Sequence, residues 1–311
     1  MRILVVGAGA LGGYFGGRLL EAGRDVTFLV RPRRAEQISQ HGLRIDSLHG
    51  NADLHPRMVL TGEVSSPYDL VLLAVKAYSL SAAMDDLAPA VGPETAILPV
   101  INGMRHLDAL IKRFGAEHIL GGLAQIAATL GPEGQVVHRM GPLHNLVYGE
   151  LRGGTSGRVR EIASAFEGVK FDSRASEQIT QEMWEKWVGL ATLAGMTSLM
   201  RGSVGDIFAA PDGRRTTLAV LDECRSTATA AGYEPRPTFV EFALSMLKEG
   251  SPMTASMLRD IERGGPTEGE HVLGDMVERA ESLGVPTPLL RLARCHVAAY
   301  EARRTREQAG R

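Results

Sequence analysis

The chain has 311 residues, 44% hydrophobic and 23% charged, which is the composition of a folded chain and not of a disordered one. At about 150 residues per domain, that length suggests two domains. Lysine and arginine number 34 against 36 aspartates and glutamates, a net charge of −2, so charge gives no case for a nucleic-acid or anionic-membrane partner.

The first half alternates strand-like and helix-like segments. Ile3-Leu4-Val5-Val6 reads as a buried strand, followed by glycines and a helix with Leu11, Phe15 and Leu19 spaced four apart. Gly23 ends that helix, and Val26-Thr27-Phe28-Leu29-Val30 reads as a second buried strand. Two further apolar runs, residues 70–75 and 96–101, are bounded by polar, glycine or proline residues. Continuous apolar strands separated by helices indicate a parallel sheet covered on both faces. Residues 134–150, with Val136-Val137 and Leu146-Val147-Tyr148, read as two strands joined by a Gly-Pro turn. Beyond Phe171 the pattern becomes helical, with helices expected over 178–200, 214–231, 238–248 and 269–282 and a last one from Pro288. The fold class is therefore α/β: an N-terminal, doubly wound parallel sheet of Rossmann type over residues 1–173, and an all-helical domain over 174–311. Residues 303–311 read as a frayed polar tail.

The longest charge-free stretches begin at Ile3, His118 and Trp187, and none reaches the roughly 18 apolar residues of a spanning helix. Residues 3–17 contain six glycines, which suits a secretory core helix poorly. Two cysteines, Cys224 and Cys295, make no disulfide framework. A cytoplasmic protein with no membrane association is expected. The histidines form no close ligand pair on a helix, and there is no Cys-x-x-Cys, so no metal is expected.

Gly7-Ala8-Gly9-Ala10-Leu11-Gly12 fits G-x-G-x-x-G, and it follows a strand and opens a helix, the context that gives the pattern meaning. Gly7 permits the tight turn, Gly9 lets the backbone approach a pyrophosphate, and Gly12 allows close packing, while the helix N-terminus offers unpaired N–H groups. A dinucleotide is the expected ligand. An acidic residue about 20 positions further on holds the ribose of NAD. Here the second strand ends instead in Val30-Arg31-Pro32-Arg33-Arg34, three guanidiniums and no carboxylate, which favours a 2′-phosphate and hence NADP(H). A solvated basic loop is the alternative.

Several segments together resemble the ketopantoate reductase (2-dehydropantoate 2-reductase) family. They are the opening residues 3–13, Val75-Lys76-Ala77, Ile101-Asn102-Gly103-Met104, residues 134–150, Trp184-Glu185-Lys186-Trp187, Ser256-Met257-Leu258-Arg259-Asp260 and Thr267-Glu268 followed by Gly274. The resemblance implies NADPH-dependent reduction of a small 2-oxo acid in a cleft between the two domains, by a protein that is often a homodimer. It matches Lys186 to the catalytic lysine, Glu268 to a substrate-binding glutamate and Ser256 to the serine that contacts the substrate carboxylate. Asn102 matches an asparagine near both nicotinamide and substrate, and Lys76 a lysine on the cofactor side.

The chemistry suits those groups. Hydride transfer to a ketone builds negative charge on the carbonyl oxygen, which an ammonium at Lys186 can stabilise and protonate. Leu190 and Ala194, four and eight residues on, share its helical face, with Thr197 returning to it. A lysine buried on such an apolar wall loses its proton more readily. A lysine lying along the helix with its head in water is the bland alternative. Glu268 follows Gly264-Gly265-Pro266 near a helix start, where a carboxylate is stabilised, and Glu270 is the expected solvent-facing neighbour. Trp184 and Trp187 are expected to pack and not to recognise a ligand.

The family pattern also fails in places. Leu190, Ala194 and Met253 stand where the family carries asparagines, and Gly269, Glu270 and Leu273-Gly274 depart from the usual helix after the glutamate. Losing hydrogen-bonding partners redirects specificity. Weak or absent pantoate synthesis and a more apolar 2-oxo acid are expected. A D-2-hydroxyacid dehydrogenase for bulkier or aromatic 2-oxo acids is the second reading, and a non-catalytic dinucleotide-binding protein the third.

Overall fold

The apolar runs near the N-terminus become a parallel sheet because each is buried on both faces. The computed structural model describes residues 1–139 and 141–310; Met140, inside the expected two-strand stretch, and Arg311, at the end of the expected tail, lie outside them. The chain divides into one unit of Met1–Ile101 and His106–Thr180 and another of Asn102–Arg105 and Gln181–Arg311.

In the first unit the strands are β1 (Arg2–Val6), β2 (Asp25–Leu29), β3 (Leu43–Ser47), β4 (Ala52–Leu54), β5 (Arg57–Val59), β6 (Leu70–Leu73), β7 (Ala96–Pro99), β8 (Leu120–Ile126), β9 (Thr129–Leu130), β10 (Val136–His138), β11 (His144–Glu150) and β12 (Asp172–Ala175). A five-stranded parallel sheet runs in the order β5-β2-β1-β6-β7. The strand order reverses between β1 and β6, the kind of crevice where open α/β sheets bind ligands beyond the strands' carboxyl ends. Helices α1 (Ala10–Glu21), α2 (Pro32–His41), α3 (Leu80–Leu87), α4 (Arg105–Phe114) and α5 (Gly157–Ala165) connect the strands. Ile3, Val5, Phe15, Phe28, Leu72 and Leu98 pack in one core, with Phe15 edge-on to Phe171 at 5.1 Å between ring centroids.

Two smaller sheets, β4-β3-β10-β9 and β12-β11-β8, complete this unit. They correct the expected strand pair over 134–150. β10 pairs with β3 and β9, whereas β11 pairs with β8 and β12, so the Gly-Pro link carries the chain from one sheet to another. β10 finds β3, and β11 finds β8 and β12, at distant points in the sequence, which a local turn signal does not reveal. Because β12 is paired to β11, residues up to Thr180 group with the first unit.

The second unit is helical: α6 (Ile179–Met200), α7 (Val204–Ala209), α8 (Gly213–Ala230), α9 (Pro237–Met246), α10 (Ser256–Glu262), a π-helical turn at Glu270–Gly274, α11 (Asp275–Ser282) and α12 (Pro288–Ala309). Helix α6 buries residues on most of its sides, Trp184, Trp187, Val188, Ala191 and Met196 among them, as a helix apolar all round must. Cys224 is buried and Cys295 exposed, and neither is in a disulfide.

The expected frayed tail is a correction of the same kind. Helix α12 continues to Ala309, with Arg304 on Glu301 at 3.0 Å and Arg303 near Glu307 at 3.6 Å. Charged residues at three- and four-residue spacing support a helix as well as they fill a coil. Among the described residues no helix is long and apolar enough to cross a membrane.

Candidate active site

The glycine loop forms where β1 gives way to α1. Gly7 has φ of +93°, a left-handed conformation that side chains resist. A Cβ on Gly12 would lie 1.9 Å from the Gly7 carbonyl oxygen, so only glycine lets the helix start against its own loop. At Gly9 the same position meets nothing within 4 Å, and α1 has no side-chain cap. Open space at Gly9, in front of the uncapped N–H groups of the loop and first turn that Ala8, Ala10 and Leu11 also belong to, fits the pyrophosphate of a dinucleotide. Gly7 abuts Val75 and Ala74 at the end of β6, and half-buried Lys76 follows in that turn.

The three arginines after β2 part company. Arg34 turns inward, its Nε donating to the Ala8 carbonyl at 2.8 Å and one terminal nitrogen to Gly134 and Gln37. It braces the glycine loop, which the sequence pattern did not reveal. Arg31 and Arg33 stay exposed, and Arg31 reaches the Ser79 hydroxyl at 3.3 Å in the turn that Lys76 opens. Arg31 and Lys76 thus follow the carboxyl ends of β2 and β6, the two strands that flank β1.

In the helical unit, Lys186 sits on α6 with its Nζ donating to Asn102 Oδ1 at 3.2 Å. Burial pulls the Lys186 ammonium down from the usual lysine range to about 8, while the negative charge of Glu268 acts in the opposite sense. Glu268 is itself buried, in the loop just ahead of the helical turn, and Glu270 is exposed and paired with Arg294 at 2.6 Å. Asn102 and Lys186, far apart in sequence, therefore meet, and Glu268 is near enough for its charge to act on the ammonium. Ala194 is buried and Leu190 half-buried on the same helix. Ser256 is the first residue of α10, and the α10 start is tied to α6 by the Ala255 N–H donating to the Thr197 hydroxyl at 3.3 Å.

Several supports were not legible in the sequence. Asn102–Arg105 groups with the helical unit although the chain on both sides belongs to the other. Arg105 pairs with Glu278 and stands 3.7 Å from Asp275, both on α11. Trp187 is buried and donates its indole N–H to the Val272 carbonyl at 3.0 Å, holding the π-helical turn. The end of α12 holds the loop before Glu268: the Thr267 N–H donates to Glu301 at 2.6 Å and the Tyr300 hydroxyl to the Gly265 carbonyl at 2.7 Å.

In the first unit, His49, His138 and His144 stack, with His49 and His144 centroids 3.5 Å apart, and the Tyr14 hydroxyl of α1 bonds His144 Nδ1 at 2.8 Å. Burial lowers the pKa of both His138 and His144. Among the described residues no three His, Cys, Asp or Glu side chains converge as a metal site would require.

The sequence model for ketopantoate reductase PanE/ApbA matches residues 3–153, and that for the PanE/ApbA C-terminal region matches residues 178–301. The chain belongs to the ketopantoate reductase family. This is a family of oxidoreductases, and the Rossmann-type sheet followed by a helical unit is its fold. The chain is 39% identical over 303 residues to YkpB of Bacillus subtilis strain 168, described as an uncharacterized oxidoreductase, covering 97% of this chain and 99% of that one. The crystal structure of 2-dehydropantoate 2-reductase from Geobacter metallireducens GS-15 superimposes with a TM-score of 0.88 at 30% identity, covering 96% of this chain and 99% of the other. D-mandelate dehydrogenase, solved with NADH and anilino(oxo)acetate, shares the fold at a TM-score of 0.88 and 22% identity, covering 98% and 100%. Leu190 and Ala194, two of the positions where the resemblance leads one to expect asparagines, lie along the helix that carries Lys186.

Proposed function

We propose that the protein is an NADPH-dependent reductase of a 2-oxo acid, yielding the 2-hydroxy acid. The observation that carries this reading is the Lys186 ammonium, hydrogen-bonded to Asn102 at 3.2 Å and with its pKa lowered to about 8 by burial. An acid with a pKa near the working pH is well suited to proton transfer. A dinucleotide held by its pyrophosphate at Gly7, Ala8, Gly9, Ala10, Leu11 and Gly12 would supply the hydride from its reduced nicotinamide ring. Lys186 stabilises the charge that develops on the carbonyl oxygen and gives it a proton, leaving as the neutral amine. Asn102 orients that ammonium on the nicotinamide side, Glu268 accepts a hydrogen bond from the substrate, and Ser256 binds its carboxylate. Arg31, exposed after β2 and with no acidic residue beside it in the loop, supports the 2′-phosphate of NADPH, with Lys76 on the same side.

The apolar side chains at Leu190, Ala194 and Met253 favour a substrate with a less polar tail than ketopantoate. They also favour the second reading, a D-2-hydroxyacid dehydrogenase for bulky apolar or aromatic 2-oxo acids. A homodimer in the cytoplasm belongs to the same reading and is measurable by sedimentation. The test is oxidation of NADPH, and separately of NADH, against ketopantoate and branched and aromatic 2-oxo acids. Fastest turnover of a branched acid with NADPH is expected. Efficient ketopantoate turnover overturns the substrate assignment, an NADH preference overturns the cofactor assignment, and dinucleotide binding without turnover of any 2-oxo acid overturns the reaction.

A further inference from the structure

His271 is buried in the π-helical turn three residues after Glu268, and its environment is unusually specific. Its ring hydrogen-bonds the backbone carbonyl of Asn102. Gly103, next in the chain, has φ of +79°, and a Cβ there would come within 3.0 Å of the His271 carbonyl oxygen and 3.2 Å of its ring. The imidazole is thus fitted against the Asn102-Gly103 turn, with no room for a side chain between. The charged groups that act on it are Glu268, which favours its protonated form, and Arg105, which opposes it, while burial keeps the ring neutral. The turn itself is held from behind, through the Trp187 indole on the Val272 carbonyl at 3.0 Å. Turns of π type widen the helix by one residue and are found at functional sites more often than chance allows.

We infer that His271 is a positioning residue: by gripping the Asn102 backbone it fixes the amide that accepts from Lys186, and so sets the location and acidity of the Lys186 ammonium. The inference rests on the proposed role of Lys186 for its effect on turnover, but its effect on the Lys186 amine can be read without turnover. A neutral imidazole donates one N–H and has no other titration to perform in the working range. A glutamine can make the same donation, whereas phenylalanine fills the space and donates nothing. An ammonium that loses a fixed acceptor is disfavoured relative to its amine.

The test uses His271→Phe, His271→Gln, Asn102→Ala and the His271→Phe/Asn102→Ala double variant of the full chain. The pH midpoint of Lys186 is read by pulse labelling with acetic anhydride and mass spectrometry of the peptide that carries it. His271→Phe is expected to lower that midpoint and to reduce kcat on the best 2-oxo acid by about tenfold with KM changed less than about threefold. His271→Gln is expected to restore both. In the Asn102→Ala background, His271→Phe is expected to cost less than about twofold more, because both changes remove one linkage. An unchanged Lys186 midpoint in His271→Phe, or a full tenfold loss on top of Asn102→Ala, overturns the inference. Should His271→Phe not fold, His271→Met, which fills the space flexibly without a donor, goes through the same cycle. Lys186→Met measured alongside separates the two ideas. If it leaves turnover intact, the proposed reaction fails, while the labelling midpoints still decide whether His271 governs Lys186.

Discussion

The glycine loop after β1 and the lysine site on α6 reach their chemistry by opposite routes. The loop works by leaving side chains out: Gly7 takes a positive φ, Gly12 has no room for a Cβ, and Gly9 leaves open space before the helix N-terminus. Its six consecutive residues offer a ligand backbone alone and carry no titrating group, with Arg34 bracing them from outside the loop. The lysine site is assembled from Asn102, Lys186, and Glu268 with His271, brought in by three separate stretches of chain, and its proposed chemistry depends on one proton. A site made of backbone tolerates pH and fails by steric blockage. A site made of convergent side chains tolerates small steric changes and fails when a charge moves.

Substitutions sharpen that contrast, and the largest effect is expected at the lysine. Lys186→Ala is expected to reduce turnover roughly a hundredfold or more while leaving NADPH affinity within about twofold. In the unaltered enzyme the reduction rate should fall as pH rises through about 8, where the ammonium is lost, and that limb should vanish in the variant. A loss of less than about fivefold removes Lys186 from the role of acid. Gly12→Ala is the steric counterpart: with its Cβ 1.9 Å from the Gly7 oxygen the loop must shift, and NADPH affinity measured by titration calorimetry is expected to drop about thirtyfold at every pH. A loss that varied with pH would break the contrast.

Arg31→Ala is smaller. It is expected to weaken NADPH about fivefold and NADH hardly at all, since only one cofactor carries the 2′-phosphate. Equal losses for both would show Arg31 to be a solvated surface residue.

The smallest effect concerns stability. His138 and His144 are held neutral by burial, so below their ordinary range the unfolded chain takes up protons that the stacked rings refuse. Stability is therefore fully present above about pH 6.5 and declines as pH falls below it. Thermal unfolding is expected to come roughly 2–5 °C earlier at pH 5 than at pH 7, with a shallower slope in His144→Gln. An identical slope in that variant would mean the stack does not govern acid sensitivity.

The same division explains what could be read from the residues. The strands and loop from Ile3 to Gly12 lie close together, and local spacing carried the whole argument. The small sheets did not, because β10 pairs with β3 and β11 with β8 and β12 across long stretches of chain, which no local spacing reveals. Residues 303–309 read as coil because their charges look solvated, whereas their pairs lie along one helix. Lys186, Glu268 and Asn102 were reachable through the family resemblance, not through any local pattern. His271 was not reachable at all: its partner is a backbone carbonyl, which every residue has, and the turn that carries it has no distinctive spacing.

Asn102–Arg105 belongs with the helical unit while the residues on either side do not. A chimera between two relatives spliced once, after Thr180, would inherit its lysine and glutamate from one parent and the amide that receives the lysine from the other. Any recombination scheme that treats the halves as interchangeable cassettes would therefore mix the two parents inside one hydrogen bond, and four transplanted residues would be needed to keep that bond within one lineage.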